Sequence, residues 1–557
     1  MKKSDIEHAF AQIKPDAALE GKVMRLTAQE KSKVRRRMHL PVMAAAVLVL
    51  ALVSFGSYTI LKNSTSESQS VTKRQSVTEY FLVKSYAANG DEIELTKDNT
   101  ALMAYTDPGL PLKLESIRMN ATSFQVRVTA GTLWSGNEES PVARGNACVL
   151  PGDEMLYWSA KMSDGTYAPS GLVIISAYNG DDLISELVVS IRELNGGGYA
   201  ARVIDGVAQT ETKDGSIYLE GKISNLVYID APVFGTTEIQ EKTASTYTAM
   251  RGSLLEESFF NFFGKGHSVK SYRIFDENSD IIINGETFHT CRYEFTNGDE
   301  LYVSGDYADF SSSAGASISQ SIQNPSIPYD DGTDQEWEFA SKKEAFAEVK
   351  DALTQMGINV SDQYQVCSFD YLTLERKNLD LRTYLTEDQI ADEEAAGNLR
   401  TNWSTADNCY YFILRQDING TPMSDQSYGT ENAGEFSFGT NISVIYTKDG
   451  IVSLVVGCPK IIESVELKDA ATISLEDALA LYADERAESK SGAIRTIHEV
   501  EYVYLPVAKG LHGENGFDLT PCWALGMPSL WGGIEWHFVN AITGEMYESI
   551  IQKSLET

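Results

Sequence analysis

The residue types that most often carry out chemistry are sparse in this chain and do not form known motifs. Five histidines and all six cysteines follow its longest apolar run, and they are His267, His289, His498, His512, His537, Cys148, Cys291, Cys367, Cys409, Cys458 and Cys522. None has the HExxH, HxH or HxxEH spacing of zinc sites, and no GxSxG or SxxK/KTG set marks a serine nucleophile. No two cysteines lie within four residues of each other, so CxxC spacing is absent. The sequence therefore predicts no catalytic residue, and only a Cys–His pair assembled in space would make a hydrolase.

Two acidic runs offer oxygen ligands. They are Asp276–Asp280 and Asp330–Glu336, the second arranged around Gly332. Calcium prefers such oxygen-rich loops, but neither run has the EF-hand register, and acidic linkers commonly have this composition. We therefore predict no metal ligand and no cofactor, with calcium as the one ion left open.

A tryptophan pair lies in the segment Met527–Trp536, with sequence MPSLWGGIEW. Exposed indole rings beside glycines can stack on a sugar or hold a peptide. Packing of Trp531 and Trp536 against a neighbouring sheet explains the same pattern.

The composition is that of a folded protein, with 43% hydrophobic, 10% aromatic and 22% charged residues and a net charge of −33. Residues 1–39 hold ten Lys and Arg against five Asp and Glu, a net of +5, and the remainder holds 36 against 74, a net of −38. An acidic surface of this size is repelled by nucleic acid, so no nucleic-acid partner is predicted.

An apolar run near the N-terminus predicts a transmembrane helix over residues 40–61. Val42–Leu61 is free of charge over twenty residues, and at about 1.5 Å per residue it matches a hydrocarbon core of roughly 30 Å. The anchoring residues would be Val42, Leu48, Leu50, Leu52, Phe55, Ile60 and Leu61. The long charged region before the run and the lack of a small-x-small site after Phe55 argue against a cleaved signal peptide.

Basic residues lie immediately before this run. They are Lys31, Lys33, Arg35, Arg36 and Arg37. Only Lys62 and a polar linker, residues 62–78, follow the run. By the positive-inside rule the N-terminus is cytoplasmic and most of the chain is extracytoplasmic at the cell membrane.

The predicted cytoplasmic tail, residues 1–39, contains two short amphipathic patterns. Their apolar residues are Ile6, Phe10, Ile13, Leu19 and Val23. Two helices this short cannot bury their apolar faces alone. They either lie on the inner membrane surface or dock on a cytoplasmic regulator, such as a sigma factor or a kinase.

Beyond the linker the strand signals predict a β-sandwich-like domain over residues 79–213. Phe124–Val128 alternates, and Asn179-Gly180 separates two β-rich runs, Gly171–Tyr178 and Ile184–Ile191. Residues 214–325 are predicted to form a mixed α+β region, with a helix at Leu254–Phe263 and loops at Ser311–Ser321.

Two further α+β modules are predicted at 326–460 and 461–557. A capping box at Ser341–Glu344 begins the first helix, which ends at Gly357, and Ile473–Asp477 begins the second, through Arg486. Strands follow each helix and form a weak internal repeat. In the first module they are expected at Cys367–Glu375, Tyr410–Gln416 and Ile442–Val456, and in the second at Val500–Leu505, Cys522–Leu525 and Trp536–Val539. The predicted fold class is α+β multidomain: one transmembrane helix, a β-sandwich-like domain, then helix-on-antiparallel-sheet modules.

The blocks ISLEDALALY, EVEYVYLP, CWAL and WHFVNAITGEMYE resemble PepSY-type modules and the membrane-anchored YycH/YycI regulatory proteins. Asn540–Glu545 is similar to their DxxTGE-like turn, with Asn in place of Asp. The resemblance covers residues 470–550 and, more loosely, 337–458. The whole layout also resembles that of anti-sigma-like single-pass proteins.

These resemblances imply regulation or sensing at the cell surface rather than catalysis. The expected function is a non-enzymatic sensing ectodomain that binds an extracytoplasmic protein or peptide and signals through its N-terminal tail. The alternatives are a membrane-anchored binding module without signalling and an unrecognised cell-wall or peptide hydrolase.

Overall fold

The computed structural model describes residues 81–547 with short gaps between them. The gaps are 87–91, 98–99, 104–107, 117–120, 137–140, 151–154, 163–165, 194–197, 212–215, 236–241, 276–280, 284–285, 323–331, 426–427, 430–435, 438, 489–492, 510–515 and 529–533. Strands account for 54% and helices for 18% of the described residues. The strands form four large sheets.

The first twelve strands form a sandwich of two antiparallel sheets. They are β1 Phe81–Tyr86, β2 Glu92–Glu94, β3 Ala101–Met103, β4 Leu110–Ser116, β5 Ser123–Val128, β6 Thr132–Ser135, β7 Val142–Gly145, β8 Ala147–Leu150, β9 Met155–Ser159, β10 Ser170–Asn179, β11 Asp182–Glu193 and β12 Tyr199–Ile204. Sheet 1 has the order β2-β1-β4-β9-β6-β7, and sheet 2 has the order β3-β12-β11-β10-β5-β8.

The sandwich core lies between these two sheets. In β5 the side chains of Phe124 and Val126 are buried and their neighbours are less so, as alternation in a half-buried strand requires. Trp158 is fully buried, its indole N–H donates to the Ala130 carbonyl at 2.9 Å, and its ring packs edge-on against Tyr199. The buried ring thus keeps its one polar group hydrogen-bonded.

Sheet 3 has ten strands from two distant parts of the chain. They are β13 Val207–Glu211, β14 Ile217–Lys222, β15 Val227–Phe234, β16 Thr243–Arg251, β31 Lys460–Ala471, β32 Arg495–Ile497, β33 Glu499–Ala508, β34 Phe517–Pro528, β35 Ile534–Asn540 and β36 Met546–Tyr547. β15 runs parallel to β32 and to the start of β33, and β16 lies between β31 and β34. Helix α6, Leu475–Glu488, packs on this sheet through Leu475, Leu479 and Tyr482.

Sheet 4 has eight strands from the chain segment between β16 and β31. They are β17 Val269–Ile274, β20 Thr290–Phe295, β21 Glu300–Ser304, β22 Tyr307–Ser311, β23 Gln365–Phe369, β24 Cys409–Leu414, β29 Asn441–Thr447 and β30 Gly450–Gly457, in the order β17-β20-β21-β22-β30-β29-β24-β23. Three short hairpins accompany it: β18 Ile281–Ile283 with β19 Glu286–Phe288, β25 Asp417–Ile418 with β26 Thr421–Pro422, and β27 Tyr428–Gly429 with β28 Phe436–Ser437.

Helices cover both faces of sheet 4. They are α1 Glu256–Phe263, α2 Gly315–Ile322, α3 Lys342–Gln355, α4 Tyr371–Arg382 and α5 Glu387–Ala395. α1 and α3 share the core of one face, whereas Ile318 of α2 and Leu374 of α4 belong to the core of the other. The start of α3 has the predicted capping box, because Ser341 and Glu344 each accept a hydrogen bond from the other's backbone N–H.

The predicted α+β fold class is wrong, since the described part of the chain is mostly β. Parallel pairing in sheet 3 and helices on both faces of sheet 4 also depart from the predicted helix-on-antiparallel-sheet modules. β33 and β34 are buried over almost their whole length, so neither shows the alternation by which strands are recognised in a sequence.

The predicted transmembrane helix at 40–61 is not supported, and its residues lie outside the described part. Within residues 81–547, apart from the gaps, the structure has no helix that is both long and apolar enough to cross a membrane.

Two local predictions were wrong for identifiable reasons. The predicted loop at Ser311–Ser321 is largely α2, whose small residues allow close packing: a Cβ atom on Gly315 would lie 1.9 Å from the Val452 carbonyl oxygen. The predicted strand Cys367–Glu375 ends at Phe369, because Asp370 caps α4 by accepting from the Thr373 N–H.

Strand pairing also runs across the domain boundaries drawn from the sequence. The region 214–325 supplies β14–β16 to sheet 3, and β17, β20, β21 and β22 to sheet 4. Residues 252–459, which contain sheet 4, are thus an insertion within the chain that builds sheet 3.

A layer of charged and hydroxyl side chains joins sheet 2 of the sandwich to sheet 3. Glu220 on β14 is fully buried and accepts from Ser190 at 2.6 Å, Arg192 at 2.7 Å and Arg202 at 2.9 Å. These three partners lie on β11 and β12. One carboxylate therefore holds two strands of the neighbouring sheet.

Two further carboxylates extend this layer. Glu186 on β11 accepts from Tyr228 at 2.6 Å and from Lys222 at 2.7 Å. Asp230 on β15 accepts from Tyr218 at 2.8 Å, and burial raises the pKa of this carboxyl group. We call Glu186, Glu220 and Asp230, with their partners, the polar joint.

Removing one partner from a buried ion pair leaves the other charge uncompensated, at a cost of about 3 kcal/mol. We therefore expect Glu220→Ala, which strands Arg192 and Arg202, to lower the free energy of unfolding by about 3 kcal/mol in urea titrations. The control is Glu300→Ala, which removes an exposed pair with Arg292 and should cost less than about 1 kcal/mol. Equal losses in the two variants would contradict the account of the polar joint.

Candidate binding edge

All site residues predicted from the sequence lie outside the described part of the chain. This applies to the membrane anchor Val42–Leu61, the basic cluster Lys31–Arg37 and the apolar tail residues between Ile6 and Val23. Trp531 and the acidic run 276–280 also lie outside it. The structure therefore neither groups nor separates these residues.

Cys291, Cys409 and Cys522 are buried thiols in the structure. Burial, with Glu256 nearby, raises the pKa of Cys291 to about 12, and burial also raises the pKa of Cys409 and Cys522. A thiol with a raised pKa is a poor nucleophile because little thiolate forms near neutral pH. These cysteines are placed as core residues.

His537 lies on β35 as a buried strand residue, with its Nε2 atom 3.2 Å from Glu535 Oε1. This contact lowers the pKa of Glu535, and Arg495 is 3.6 Å from the same carboxylate. Among the described residues no three His, Cys, Asp or Glu side chains converge as metal ligands. Arg495 and Glu535 form an ion pair beside His537, whose ring lies 5.2 Å from the Tyr482 ring of α6.

The DxxTGE-like turn after β35 is held by its asparagine. The Asn540 side-chain oxygen accepts from the backbone N–H groups of Ile542 at 2.9 Å and Thr543 at 3.0 Å. Gly544 follows at φ 74°, which favours glycine. Trp536 packs in a core cluster with Val503 and Phe538, so this indole ring is a packing residue.

An acidic cluster lies where sheet 3 meets the loop that follows β24. Arg415 contacts Glu501 at 2.5 Å, and these two side chains are only 11% and 10% exposed. Burial and the charge of Glu501 raise the pKa of Glu499 to about 7, and Asp425 acts in the same direction. With this pKa, Glu499 changes its charge near neutral pH, under the influence of Glu501, Asp425 and Arg415.

The most exposed part of sheet 4 is its first edge strand, β17. All six residues of β17 are exposed, and in the described residues the strand pairs only with β20. Val269, Tyr272 and Ile274 are 40%, 47% and 51% exposed. An unpaired strand edge with apolar side chains can accept a further strand.

The charge of this edge differs from that of the chain. β17 carries Lys270 and Arg273 and no acidic residue, in a chain of net charge −33. Lys270 is 3.7 Å from Glu294 in an exposed pair, which contributes little. The β17 edge is therefore a basic strip on an acidic protein.

Aromatic rings support the β17 edge from behind. The Tyr272 ring lies 4.6 Å from Tyr293, which lies 4.8 Å from Phe260 of α1. The Tyr293 hydroxyl donates to Glu256, and burial together with this carboxylate raises the pKa of Tyr293. We call Phe260, Tyr272, Tyr293 and Phe295 the aromatic ridge. It fixes the strand that carries the basic side chains.

The sequence contained the signal for this edge in part. VKSYRI has β-rich residues and two basic ones, but its edge position depends on pairing with β20 and on the ordering of sheet 4. Neither is visible in the strand itself.

No protein-family model matches the chain, and no curated protein matches it. A solved structure of an uncharacterized protein from Eubacterium rectale is similar at a TM-score of 0.43 and 14% identity, over 59% of this chain and 93% of that one. A likeness of this size carries no argument about fold or function. The PepSY and YycI resemblance stays a prediction.

The Glu499 carboxyl predicts a pH-dependent stability. A raised pKa means that the folded state binds the proton more tightly than the unfolded state, so stability falls as pH rises through about 7. Glu499→Gln removes this loss. We expect the variant to gain about 1–2 kcal/mol over wild type between pH 5 and pH 8, after allowance for partial exposure.

Urea unfolding at the two pH values measures this difference. Glu476→Gln, at an exposed position on α6, is the matched control and should show no pH-dependent gain. The same difference between Glu499→Gln and wild type at both pH values would contradict the proposed role of Glu499.

Proposed function

We propose that this chain is a non-enzymatic binding protein that takes up an extended, acidic polypeptide segment as an added strand on the β17 edge. The observation that carries the proposal is the edge strand with Lys270 and Arg273, which is exposed along its whole length and, among the described residues, pairs with β20 alone. An added strand gains main-chain hydrogen bonds, and side-chain pairs across the ladder give selectivity.

The spacing of the two basic residues defines the partner. Lys270 and Arg273 are three positions apart, so a partner strand would carry two acidic residues at the same spacing. Val269 and Ile274 flank them and favour apolar residues at both ends of the segment. The ligand class is thus a short strand that is apolar at its ends and acidic within.

Regulation at the cell surface is the role that we propose for this binding. Localisation at the cell membrane, with the tail 1–39 in the cytoplasm, comes from the charge pattern of the sequence. A sigma factor or a kinase as tail partner rests on the apolar residues between Ile6 and Val23. The buried thiols with raised pKa do not favour the hydrolase alternative.

The test is the affinity of the full chain, purified in a mild detergent, for two labelled peptides, measured by fluorescence anisotropy. The acidic probe is Val-Glu-Thr-Thr-Glu-Val, and the basic control replaces both Glu by Lys. We expect binding of the acidic probe alone, and Lys270→Glu with Arg273→Glu should weaken it at least tenfold, because two attractions become repulsions.

The matched control variant is Lys343→Glu with Lys448→Glu, two exposed lysines away from β17. It should bind the acidic probe like wild type. Two results would show that β17 is not the site. One is equal binding of both peptides by wild type, and the other is unchanged affinity of the Lys270→Glu, Arg273→Glu variant for the acidic probe.

A further inference from the structure

The chain has a second exposed edge, at the far end of sheet 3. β31 pairs only with β16 within the described residues, and nine consecutive residues of β31 are exposed. Its apolar residues are solvent-facing, with Ile461 at 53%, Ile462 at 38%, Val465 at 52% and Leu467 at 46% exposure. Four exposed large apolar residues on one edge strand are an unusual surface for an isolated monomer.

The exposed stretch of β31 is acidic on balance, with Glu463, Glu466 and Asp469 against Lys468. Glu463 and Glu466 lie within the exposed apolar stretch and are three positions apart. The pairing of β16 with β31 skips both residues at register shifts, so the inner neighbour does not pair with them. The partner strand defined above, apolar at its ends and acidic at a spacing of three, is present in this chain.

We infer that the β17 edge of one copy takes up β31 of a second copy, an inference that rests on the proposed function of the β17 edge. In one antiparallel register, Lys270 faces Glu466 and Arg273 faces Glu463. The same register places Val269 opposite Leu467 and Ile274 opposite Ile462.

This register pairs opposite charges and apolar side chains over six positions. Lys270 on β17, like Glu463 and Glu466 on β31, is skipped by its inner neighbour at a register shift, so three of the four charged residues lie at bulges. Cross-strand pairs of opposite charge and of apolar side chains each stabilise a ladder, and like charges directly opposite destabilise it. The middle pairs are small or hydroxyl-bearing, with Tyr272 opposite Ser464 and Ser271 opposite Val465. No like-charge pair occurs in the six positions.

A second copy is favoured over an intramolecular contact because both strands are already edges of sheets in one compact unit, where they do not pair. Each copy offers one β17 edge and one β31 edge. The contact is heterologous, so two copies close by using both pairs, and otherwise the chain of copies stays open.

The experiment is density-matched sedimentation equilibrium of the full chain in detergent, over a range of concentrations. Wild type should associate, and Lys270→Glu with Arg273→Glu, or Glu463→Lys with Glu466→Lys, should each weaken association at least tenfold. The variant that carries all four changes restores opposite charges and should associate like wild type. Near-UV circular dichroism checks that each variant is folded.

If association recovers in the variant with all four charge reversals, the weak association of the two double variants comes from lost charge pairing and not from a loss of folding. Association that none of the charge reversals changes would overturn the inference, because another surface would then join the copies. A wild-type chain that stays monomeric throughout would overturn it as well.

A peptide measurement keeps this result separate from the proposed function. If the wild-type chain stays monomeric but binds Val-Glu-Thr-Thr-Glu-Val through Lys270 and Arg273, the β17 edge takes another partner and the proposed function stands. If neither association nor peptide binding occurs, both are wrong.

Discussion

Sheet 3 depends on bringing together two parts of the chain that are more than two hundred residues apart. β15 pairs in parallel with β32 and β33, and β16 lies between β31 and β34. Neither half contains the whole core, because α6 packs on side chains from both. Closing so long a loop costs entropy that the completed sheet must offset.

The placement of charge follows from this architecture. The polar joint uses three carboxylates to hold the sandwich against sheet 3, with Glu220 fully buried among Ser190, Arg192 and Arg202. A layer of this kind contributes little net stability compared with apolar packing, but its charge pairs require specific positions of the two sheets. We infer that it fixes the orientation of the sandwich rather than driving its formation.

The same arrangement leaves β17 and β31 at exposed sheet edges. The strand order of sheet 4 places β17 at one edge, and that of sheet 3 places β31 at another. Each has exposed apolar residues, and their charges are opposite. In natural proteins, charges and bulges commonly protect such edges from unwanted pairing. Here we propose that the charges on β17 and β31 also determine which strand each edge accepts.

The sequence was informative where structure is local. The helix at α1, the capping box of α3 and the turn at Asn179-Gly180 between β10 and β11 follow from residue spacing and turn chemistry. Strand pairs such as β15 with β32 leave no local pattern, so the insertion of residues 252–459 was not predicted. α2 was missed because its glycine and serines resemble a loop, although Ser321 satisfies its hydroxyl by donating to the Ser317 carbonyl at 2.8 Å.

The candidate site was missed for a related reason. Lys270 and Arg273 were visible as charged residues in a β-rich segment, but only the order of sheet 4 makes their strand an edge. The sequence directed attention to the N-terminal 61 residues and to histidine, cysteine and acidic motifs. None of these features identifies the edge strand of a sheet.

The most direct test of the central claim is amide hydrogen exchange of the full chain, with and without a saturating amount of the acidic peptide Val-Glu-Thr-Thr-Glu-Val. An added strand forms main-chain hydrogen bonds, so exchange in Val269–Ile274 should slow markedly, while the exposed helix α5 should exchange as before. Unchanged exchange in β17, or protection confined to another segment, would contradict the account.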